Sequence, residues 1–178
     1  MTKIQKTWVI GDTHFFHHNI KFYTHRPDYF NELIVYNWVR LVGSQDYIIH
    51  LGDVGFGRFD RMKHVFDRLP GQKILVRGNH DRWTKRKYRE LGFIDIVDDI
   101  KLGMFGHTVL MTHRPVDYID DWAGIINVHG HIHNRSHDEL WKVNASVELH
   151  DYGPVHLASL VKKRVDLINA FELWHTGG

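Results

Sequence analysis

Apolar positions along the chain follow two periods, which together outline a series of strands and helices. Short apolar runs rich in β-branched residues predict strands, and apolar residues spaced three and four apart predict amphipathic helices. The predicted strands cover residues 7–10, 46–51, 74–76, 94–102, 107–112, 125–128 and 141–147. The predicted helices cover residues 31–42, 62–69, 84–91 and 157–168. Alternating strands and helices up to residue 91, followed by a strand-rich part, predict an α/β domain with more than one sheet.

Glycine and proline residues mark the ends of several of these elements. Gly43 suits the C-terminal cap of the first long helix, and Pro70 with Gly71 ends the second. Residues 103–106 contain two glycines and predict a hairpin turn, whereas residues 117–122 predict a loop or a short helix. No linker, internal repeat or low-complexity stretch interrupts the chain. One domain that spans residues 1–178 is therefore predicted.

Side chains that bind metals follow five of the apolar runs. Residues 74–76 are followed by the segment Arg77-Gly78-Asn79-His80-Asp81. The other four runs are followed by Asp12 and His14, by Asp53, by His113, and by His131 and His133. Because strand ends meet at one edge of a sheet, we expect these side chains to converge there. Each segment alone also suits an ordinary turn, since Gly, Asn and Asp favour turns, but five such segments indicate a metal-assisted hydrolase.

Spacing within the segments adds detail to the predicted site. Asp12 and His14 are two positions apart, so they lie on the same side of an extended backbone and both reach one cation. His131 and His133 are related in the same way. Since a carboxylate has two oxygens, Asp53 is assigned as the bridge between two cations about 3.5–4 Å apart.

Composition limits the chemistry and the location of the protein. A chain of 178 residues buries roughly 70% of its unfolded surface, which is enough for one core. The absence of cysteine restricts any metal site to nitrogen and oxygen ligands, and several of the 16 histidines are expected to bind metal. With a net charge of +2, the chain lacks the excess of basic residues that is typical of a dedicated nucleic-acid binder. Neither a signal peptide nor an apolar run of membrane length is evident, so a cytoplasmic location without membrane contact is expected.

The ordered set of motifs resembles that of a known family. Asp-x-His, Gly-Asp, Gly-Asn-His-Asp, His and Gly-His-x-His, which span residues 12–133, are similar to the motifs of the calcineurin-like metallophosphoesterase superfamily, in its small single-domain branch. The resemblance implies an α/β fold, a four-layer α/β/β/α sandwich with two mixed β-sheets. It implies two divalent metal ions, one held by Asp12, His14, Asp53 and His133 and the other by Asp53, Asn79, His113 and His131.

Protein serine/threonine phosphatases of this superfamily continue Gly-Asp with Val-Asp-Arg-Gly. This chain has Val54-Gly55-Phe56-Gly57 instead, which argues against protein phosphatase activity.

The resemblance implies hydrolysis of a small phosphodiester or phosphomonoester by a hydroxide that the metal ions make available. His80 is expected to protonate the leaving group or to stabilise charge in the transition state, and Asp81 to orient His80. Candidate contacts to the phosphate are His17, Arg82 and Arg114. His17 has a second interpretation as a surface or hydrogen-bonded loop residue. The resemblance assigns no metal role to His129, which we interpret as a core residue or a support for the ligands.

Manganese is the expected metal, and iron, zinc, nickel and cobalt are alternatives that nitrogen and oxygen ligands also accept. The expected partner is a small phosphorylated substrate, with a nucleotide or nucleic acid as the alternative. A nuclease or RNA-end-processing enzyme acting on 2′,3′-cyclic phosphates needs a basic and aromatic groove, for which the candidates are Trp83, Lys85, Arg86 and Lys87. The three basic residues also suit a solvated helix face. A non-catalytic protein-binding scaffold is a third hypothesis, which the complete ligand set disfavours.

Overall fold

Nine strands and five α-helices make up the part of the chain that the structure, a computed structural model, describes, namely residues 5–117, 124–137 and 139–176. The strands are β1 (Thr7–Ile10), β2 (Tyr47–His50), β3 (Gln72–Val76), β4 (Phe93–Val97), β5 (Asp99–Met104), β6 (His107–Thr112), β7 (Ile125–His129), β8 (Lys142–Asn144) and β9 (Val155–His156). The α-helices are α1 (Ile20–Thr24), α2 (Phe30–Leu41), α3 (Phe59–Phe66), α4 (Lys85–Glu90) and α5 (Leu157–Thr176), and a short 3₁₀-helix covers Val147–Leu149.

The strands form two mixed sheets. The first has the order β4-β3-β2-β1-β9, and its strands are parallel except for β9, which is antiparallel to β1. The second has the order β5-β6-β7-β8 and is parallel except for the antiparallel pair β5 and β6. The predicted α/β fold with two mixed sheets is therefore confirmed. No helix within the described ranges has the length and apolarity to cross a membrane. The expected cytoplasmic location stays a prediction.

Alternation along β1 directs its side chains into two cores on opposite faces of the first sheet. Trp8 and Ile10 pack in one cluster with residues of α2, α3 and α4, among them Trp38. Val9 packs in a second cluster with residues of β6 and β7 and with Val161 of α5. Helices thus cover one face of the first sheet, and the second sheet covers the other.

The register of the strands brings the predicted ligand segments together. Ile10 pairs with His50 and His50 pairs with Leu75, so β1, β2 and β3 end side by side. In the second sheet, Thr112 pairs with His129, so β6 and β7 also end side by side. The segments that follow these five strands therefore leave the sheets at one edge, as the sequence predicts.

Two of the predicted strands differ from the observed ones. The run 94–102 is two strands, because β4 pairs with β3 in the first sheet while β5 pairs with β6 in the second. The chain crosses between the sheets at Asp98, and the apolar residues on both sides hide this crossover in the sequence. The strand predicted at 141–147 already ends at Asn144, whose side chain accepts a hydrogen bond of 2.9 Å from the backbone N–H of Ser146.

The turns and the basic helix follow the prediction in part. The hairpin between β5 and β6 is confirmed, since Phe105 and Gly106 have positive φ angles of 52° and 79°, the combination of a type I′ turn. The helix predicted as exposed, α4, buries Tyr88, whose hydroxyl donates a 3.1 Å hydrogen bond to Asp81. The loop predicted at 117–122 lies outside the described residues beyond Asp117.

A neutral histidine lies in the helix-covered core. His50 is fully buried beside Trp38 and Phe93. Its Nδ1 accepts the backbone N–H of Gly52 at 3.1 Å, so Nε2 carries the proton and donates to the Thr13 hydroxyl at 2.9 Å. Burial lowers the pKa of His50 to about 3, well below its ordinary value.

The burial of His50 predicts a pH dependence of stability. Between pH 6.5 and about 3 the unfolded chain binds a proton at His50 that the folded chain does not, so the unfolding free energy falls as the pH falls. His50→Gln removes this proton and should make the dependence shallower, by up to about 1.4 kcal/mol per pH unit. Urea unfolding from pH 7 to pH 4 measures both slopes. Exposed His18→Gln is the matched control, and equal slopes for the parent and His50→Gln would contradict the assignment.

Candidate metal centre at the edge of the two sheets

Six of the seven predicted ligands form two groups at the common edge of the sheets. Within each group, the candidate ligand atoms all lie within 4.8 Å of one another. The first group is Asp12, His14 and His133, and the second is Asp53, His113 and His131. Each group therefore combines a carboxylate from the first sheet with an imidazole from the second. The predicted convergence of these segments is present in the geometry.

The backbone at these ligands is left-handed. Among the described residues that are not glycine, five predicted ligands have φ angles between 45° and 71°, namely Asp12, His14, Asp53, His131 and His133. The extended backbone expected for residues 12–14 and 131–133 is therefore wrong. Aspartate and histidine enter this region more readily than most residues, and such strain collects at functional sites. These turns direct the side chains toward one another, whereas an extended strand would direct them elsewhere.

Two glycines allow the ligand segments to touch. A Cβ atom placed on Gly130 would lie 2.3 Å from Asp12 Oδ2, and one on Gly78 would lie 2.3 Å from Asp53 Oδ1. Any other residue at either position would displace a carboxylate. Both glycines thus allow a close approach of the backbone to the acidic candidate ligands.

The first group holds polar atoms that lack compensation. Asp12 Oδ2 accepts hydrogen bonds of 2.8 Å from the His131 backbone N–H and the Ser146 hydroxyl. Asp12 Oδ1 and both ring nitrogens of His14 are buried without a hydrogen-bond partner among the described residues. Burial raises the pKa of Asp12 to about 6, and burial together with the Arg26 charge lowers the pKa of His14. A divalent cation would satisfy both side chains, so the group fits a metal.

His133 completes this group with its orientation set by a carboxylate. Its Nδ1 lies 3.0 Å from Glu148 Oε1, which leaves Nε2 for the group. Burial acts to lower the pKa of His133, but the hydrogen bond to Glu148 and the negative charges of Asp12 and Glu148 raise it overall. Glu148 in turn accepts two hydrogen bonds from Arg26, at 2.6 and 3.0 Å.

The second group includes Asn79 through a contact with His113. His113 Nδ1 lies 2.7 Å from the Leu51 carbonyl, which only accepts, so this nitrogen carries a proton. In the neutral ring His113 Nε2 then presents a lone pair, 2.9 Å from the amide oxygen of Asn79 and 3.6 Å from Asp53 Oδ2. Burial, followed by the His113 and Arg114 charges, lowers the pKa of His131 to about 4. Acceptor atoms that converge without a shared proton suit a cation.

Asp53 lies between the two groups. Its Oδ2 is 3.5 Å from His14 Nε2 in the first group and 3.6 Å from His113 Nε2 in the second. Its Oδ1 accepts the backbone N–H of His80 at 2.8 Å. One carboxylate oxygen therefore faces ligands of both groups, which is the geometry of a bridging ligand.

Comparison with known proteins agrees with this geometry. The family model described as calcineurin-like phosphoesterase matches residues 5–175. The chain belongs to this family. Its members act on phosphoester bonds with two metal ions, so the protein is a metal-dependent phosphoester hydrolase, and the two ligand groups described above fit the two ions of the family.

Similar proteins extend the comparison along most of the chain. An uncharacterized protein from Methanocaldococcus jannaschii, MJ1445, is 30% identical over 173 residues, which cover 89% of this chain and 91% of that protein. The gene 66 protein of Mycobacterium phage D29 is 29% identical over 128 residues, 55% of this chain and 63% of that protein. A crystal structure of AQ665 from Aquifex aeolicus, a protein of unknown function, superposes with a TM-score of 0.74 at 26% identity, covering 89% and 98% of the two chains.

His80 and Asp81 occupy different positions relative to the ligand groups. The His80 ring lies 5.9 Å from the His14 ring, and its Nδ1 is buried without a hydrogen-bond partner among the described residues. The Asp81 carboxylate accepts backbone N–H groups of Asp53, Val54 and Gly78. The expectation that Asp81 orients His80 has no hydrogen bond to support it, because these donors and Tyr88 surround its oxygens.

The three predicted phosphate contacts lie in three separate cavities near the metal groups. The His17 ring stacks on Phe56 at 4.0 Å and lies 5.4 Å from the His14 ring, which places it beside the first group. Arg82 lines a cavity with His80, and Arg114 lines another with Asn79 and His113. His129 is fully buried, with Nδ1 2.8 Å from the Gly130 carbonyl, in agreement with a core position.

Several residues of the site were missed in the sequence. The buried Arg26 donates to the carbonyl oxygens of Asp12 and Thr13 and to Glu148, which is 122 positions away. Ser146 donates to Asp12 across 134 positions. Neither an isolated arginine in a loop nor a glutamate in a 3₁₀-helix carries a local pattern, so their roles appear only in the folded chain. In the folded chain, the contact between the buried side chains of Arg26 and Glu148 is the observation that reveals their roles.

Glu148 should set the affinity of the first group for a metal through His133. Glu148→Gln keeps an oxygen acceptor for His133 Nδ1 and removes the negative charge, so affinity for one of two ions should fall by about 10–100-fold. Titration of metal-free protein with Mn²⁺ in competition with a chelator measures both affinities. Exposed Glu32→Gln is the matched control. Loss of both ions to the same extent, or of neither, would contradict the link between Glu148 and His133.

Proposed function

We propose that the protein hydrolyses phosphodiesters at a centre of two divalent metal ions. One ion would be held by Asp12, His14, Asp53 and His133, and the other by Asp53, Asn79, His113 and His131. The observation that carries the proposal is the position of Asp53 Oδ2, within 3.6 Å of an imidazole nitrogen in each group. Nitrogen and oxygen ligands without sulfur suit manganese, with iron, zinc, nickel or cobalt as alternatives.

The bound ions would polarise the phosphoryl group and lower the pKa of an attacking water. The protein's own contribution begins with rigidity. Left-handed turns, glycine contacts and buried hydrogen bonds hold the ligand side chains before substrate arrives, so little reorganisation accompanies binding. Burial of Asp12, His14, Asp53 and His113 also keeps bulk water away from charges that develop in the transition state.

The position of His80 supports its assignment as the acid that protonates the leaving group. Its backbone N–H is held by Asp53, while its ring lies beside His14 and belongs to neither ligand group. The ring also lines a cavity, so it is accessible to a bound substrate. Asn79 and His80 lie in a turn, and their side chains separate: the Asn79 amide contacts His113, and the His80 ring contacts Phe56 at 5.0 Å. A proton held on His80 would pass to the departing oxygen.

Open space next to both ligand groups supports a diester over a monoester. Beside the second group, a cavity of about 460 Å³ is lined by Asn79 and His113 together with Arg77 and Arg114. A separate cavity of about 170 Å³ is lined by His80, whose ring lies near His14 of the first group. A phosphodiester carries a substituent on each side of phosphorus, whereas a monoester carries one. The arginines on the Asn79 side favour a further negative charge on the group that stays with phosphorus.

Two ions per chain are the first expected outcome. Metal analysis after saturation with Mn²⁺ should return close to two ions, and Asp53→Asn should lose more metal than Asn79→Ala because Asp53 faces both groups. The Asn79 variant serves as the matched control for loss of a single ligand. Equal losses of one ion from the two variants would show that Asp53 does not bridge, and no metal in the parent would remove the proposal.

His80→Ala separates the role of an acid from that of a ligand. The variant should keep the metal content of the parent while kcat falls by roughly 10²–10⁴-fold. p-Nitrophenolate departs without needing a proton, so hydrolysis of a p-nitrophenyl ester should fall much less than that of an alkyl or nucleoside ester. Parallel kinetics with both kinds of ester and metal analysis make the comparison. An equal loss on both esters would instead assign charge stabilisation to His80, and loss of metal would make it a ligand.

A further inference from the structure

The cavity beside His80 has aromatic walls, and the proposed chemistry assigns no particular group of the substrate to them. We name it the ring pocket. Its lining residues are Gly55, Phe56, Gly57, His80, Arg82, Trp83 and Tyr88. The Phe56 side chain is 43% exposed, and the ring of Trp83 is half-buried. Exposure of a single ring is ordinary, but here two aromatic side chains line the same cavity beside His80, where a bound ligand would contact both.

Both aromatic side chains are held in place by packing against other rings. The Phe56 ring stacks on His17 at 4.0 Å with an interplanar angle of 23°. The Trp83 ring packs against the edge of Phe59 at 5.4 Å and lies 5.8 Å from Tyr88, whose hydroxyl is bound to Asp81. Rigid rings lose little conformational entropy when a ligand binds between them.

The rim of the ring pocket carries a positive charge. Arg82 is exposed and lines the pocket together with its aromatic residues. A guanidinium stacks on planar rings and donates to carbonyl, ring-nitrogen or phosphate acceptors. An aliphatic chain has no acceptor for it, a free phosphate makes no use of two aromatic walls, and a sugar lacks a planar ring for the guanidinium to stack on. A heteroaromatic ring with acceptors on its edge uses both features.

We propose that the ring pocket binds the nucleobase of the leaving group, so that the substrate is a phosphodiester whose departing side is a nucleoside. This inference rests on the proposed function, because it takes His80 to meet the leaving oxygen. Whatever is attached to that oxygen must enter the space next to His80, and that space is the ring pocket. A cavity of about 170 Å³ is of the size of one base and not of a stack of bases, so the recognition we propose is of a single unstacked base.

Three matched substrates test the inference. The dinucleotide TpT is compared with two analogues that each lack one base, and product analysis shows which nucleoside leaves. The alkoxide leaving group is the same in all three, so only stacking differs. For the parent, removal of the base on the leaving side should lower kcat/KM by about 5- to 100-fold, the range that stacking of a base on an aromatic side chain provides. Removal of the other base should have a smaller effect.

Variants assign this preference to the pocket. Phe56→Leu and Trp83→Leu keep apolar volume without the ring, and each should bring the ratio of kcat/KM between TpT and its leaving-side analogue close to one. Phe22→Leu makes the same exchange at a phenylalanine that is 70% exposed on α1, and it should keep the ratio of the parent. A ratio near one in the parent, or a parental ratio in both pocket variants, would overturn the inference.

Binding without turnover distinguishes failure of the pocket from failure of the proposed function. In metal-free protein labelled with ¹⁵N, thymidine should shift the indole N–H resonance of Trp83, which Trp83→Leu identifies by its loss. The shift should vanish in Phe56→Leu and persist in Phe22→Leu. Thymidine binding without hydrolysis of any diester would overturn the proposed function, and with it the assignment of the base to a leaving group, but would keep the ring pocket as a site for a base. Hydrolysis at equal rates with and without the base, and no shift of Trp83, would overturn the ring pocket alone.

Discussion

The carboxylate of Asp81 is the interaction on which the rest of the site depends. It accepts backbone N–H groups of Asp53, Val54 and Gly78 and the hydroxyl of Tyr88, and so joins the segments after β2 and β3 to α4. Burial raises its pKa despite these donors. A buried carboxylate is tolerated only with such a set of donors, and their directions fix the turn that carries Asp53. The position of one side chain that binds no metal therefore controls where the central ligand lies.

A second constraint is the concentration of unlike charges in a space that excludes water. Arg26 and Glu148 are both buried, and their contact offsets part of the cost of burial. Arg26 also donates to the carbonyl oxygens of Asp12 and Thr13, so one guanidinium holds the segment after β1 against the 3₁₀-helix. The same charge disfavours protonation of His14. A His14 imidazole that stays neutral and an Asp12 Oδ1 atom without a donor suit a divalent cation, so the surrounding residues prepare the first group for it.

Most of the fold and the convergence of the candidate ligand segments could be predicted from local patterns. The strands before Asp12, Asp53 and Asn79 are short apolar runs, and the parallel register of β1 to β3 makes their ends coincide. What could not be predicted depends on contacts between distant residues. The crossover at Asp98 depends on which sheet each half of an apolar run joins. The left-handed turns at the ligands arise where glycine contacts and buried hydrogen bonds hold the backbone, and spacing along a strand indicates neither.

Each ligand group draws on both ends of the motif region, and this bears on how the protein is made. Asp12, His14, Asp53 and Asn79 emerge from a ribosome early, whereas both groups wait for a histidine in the segment 131–133. The inner face of the first sheet lacks its partner until β6 and β7, which precede this segment and supply the opposite side of that core, have been made. An ion bound by a nascent chain would therefore meet an incomplete ligand group and would stay exchangeable. Selection of the final metal would then fall to the completed protein, after the two sheets have packed against each other.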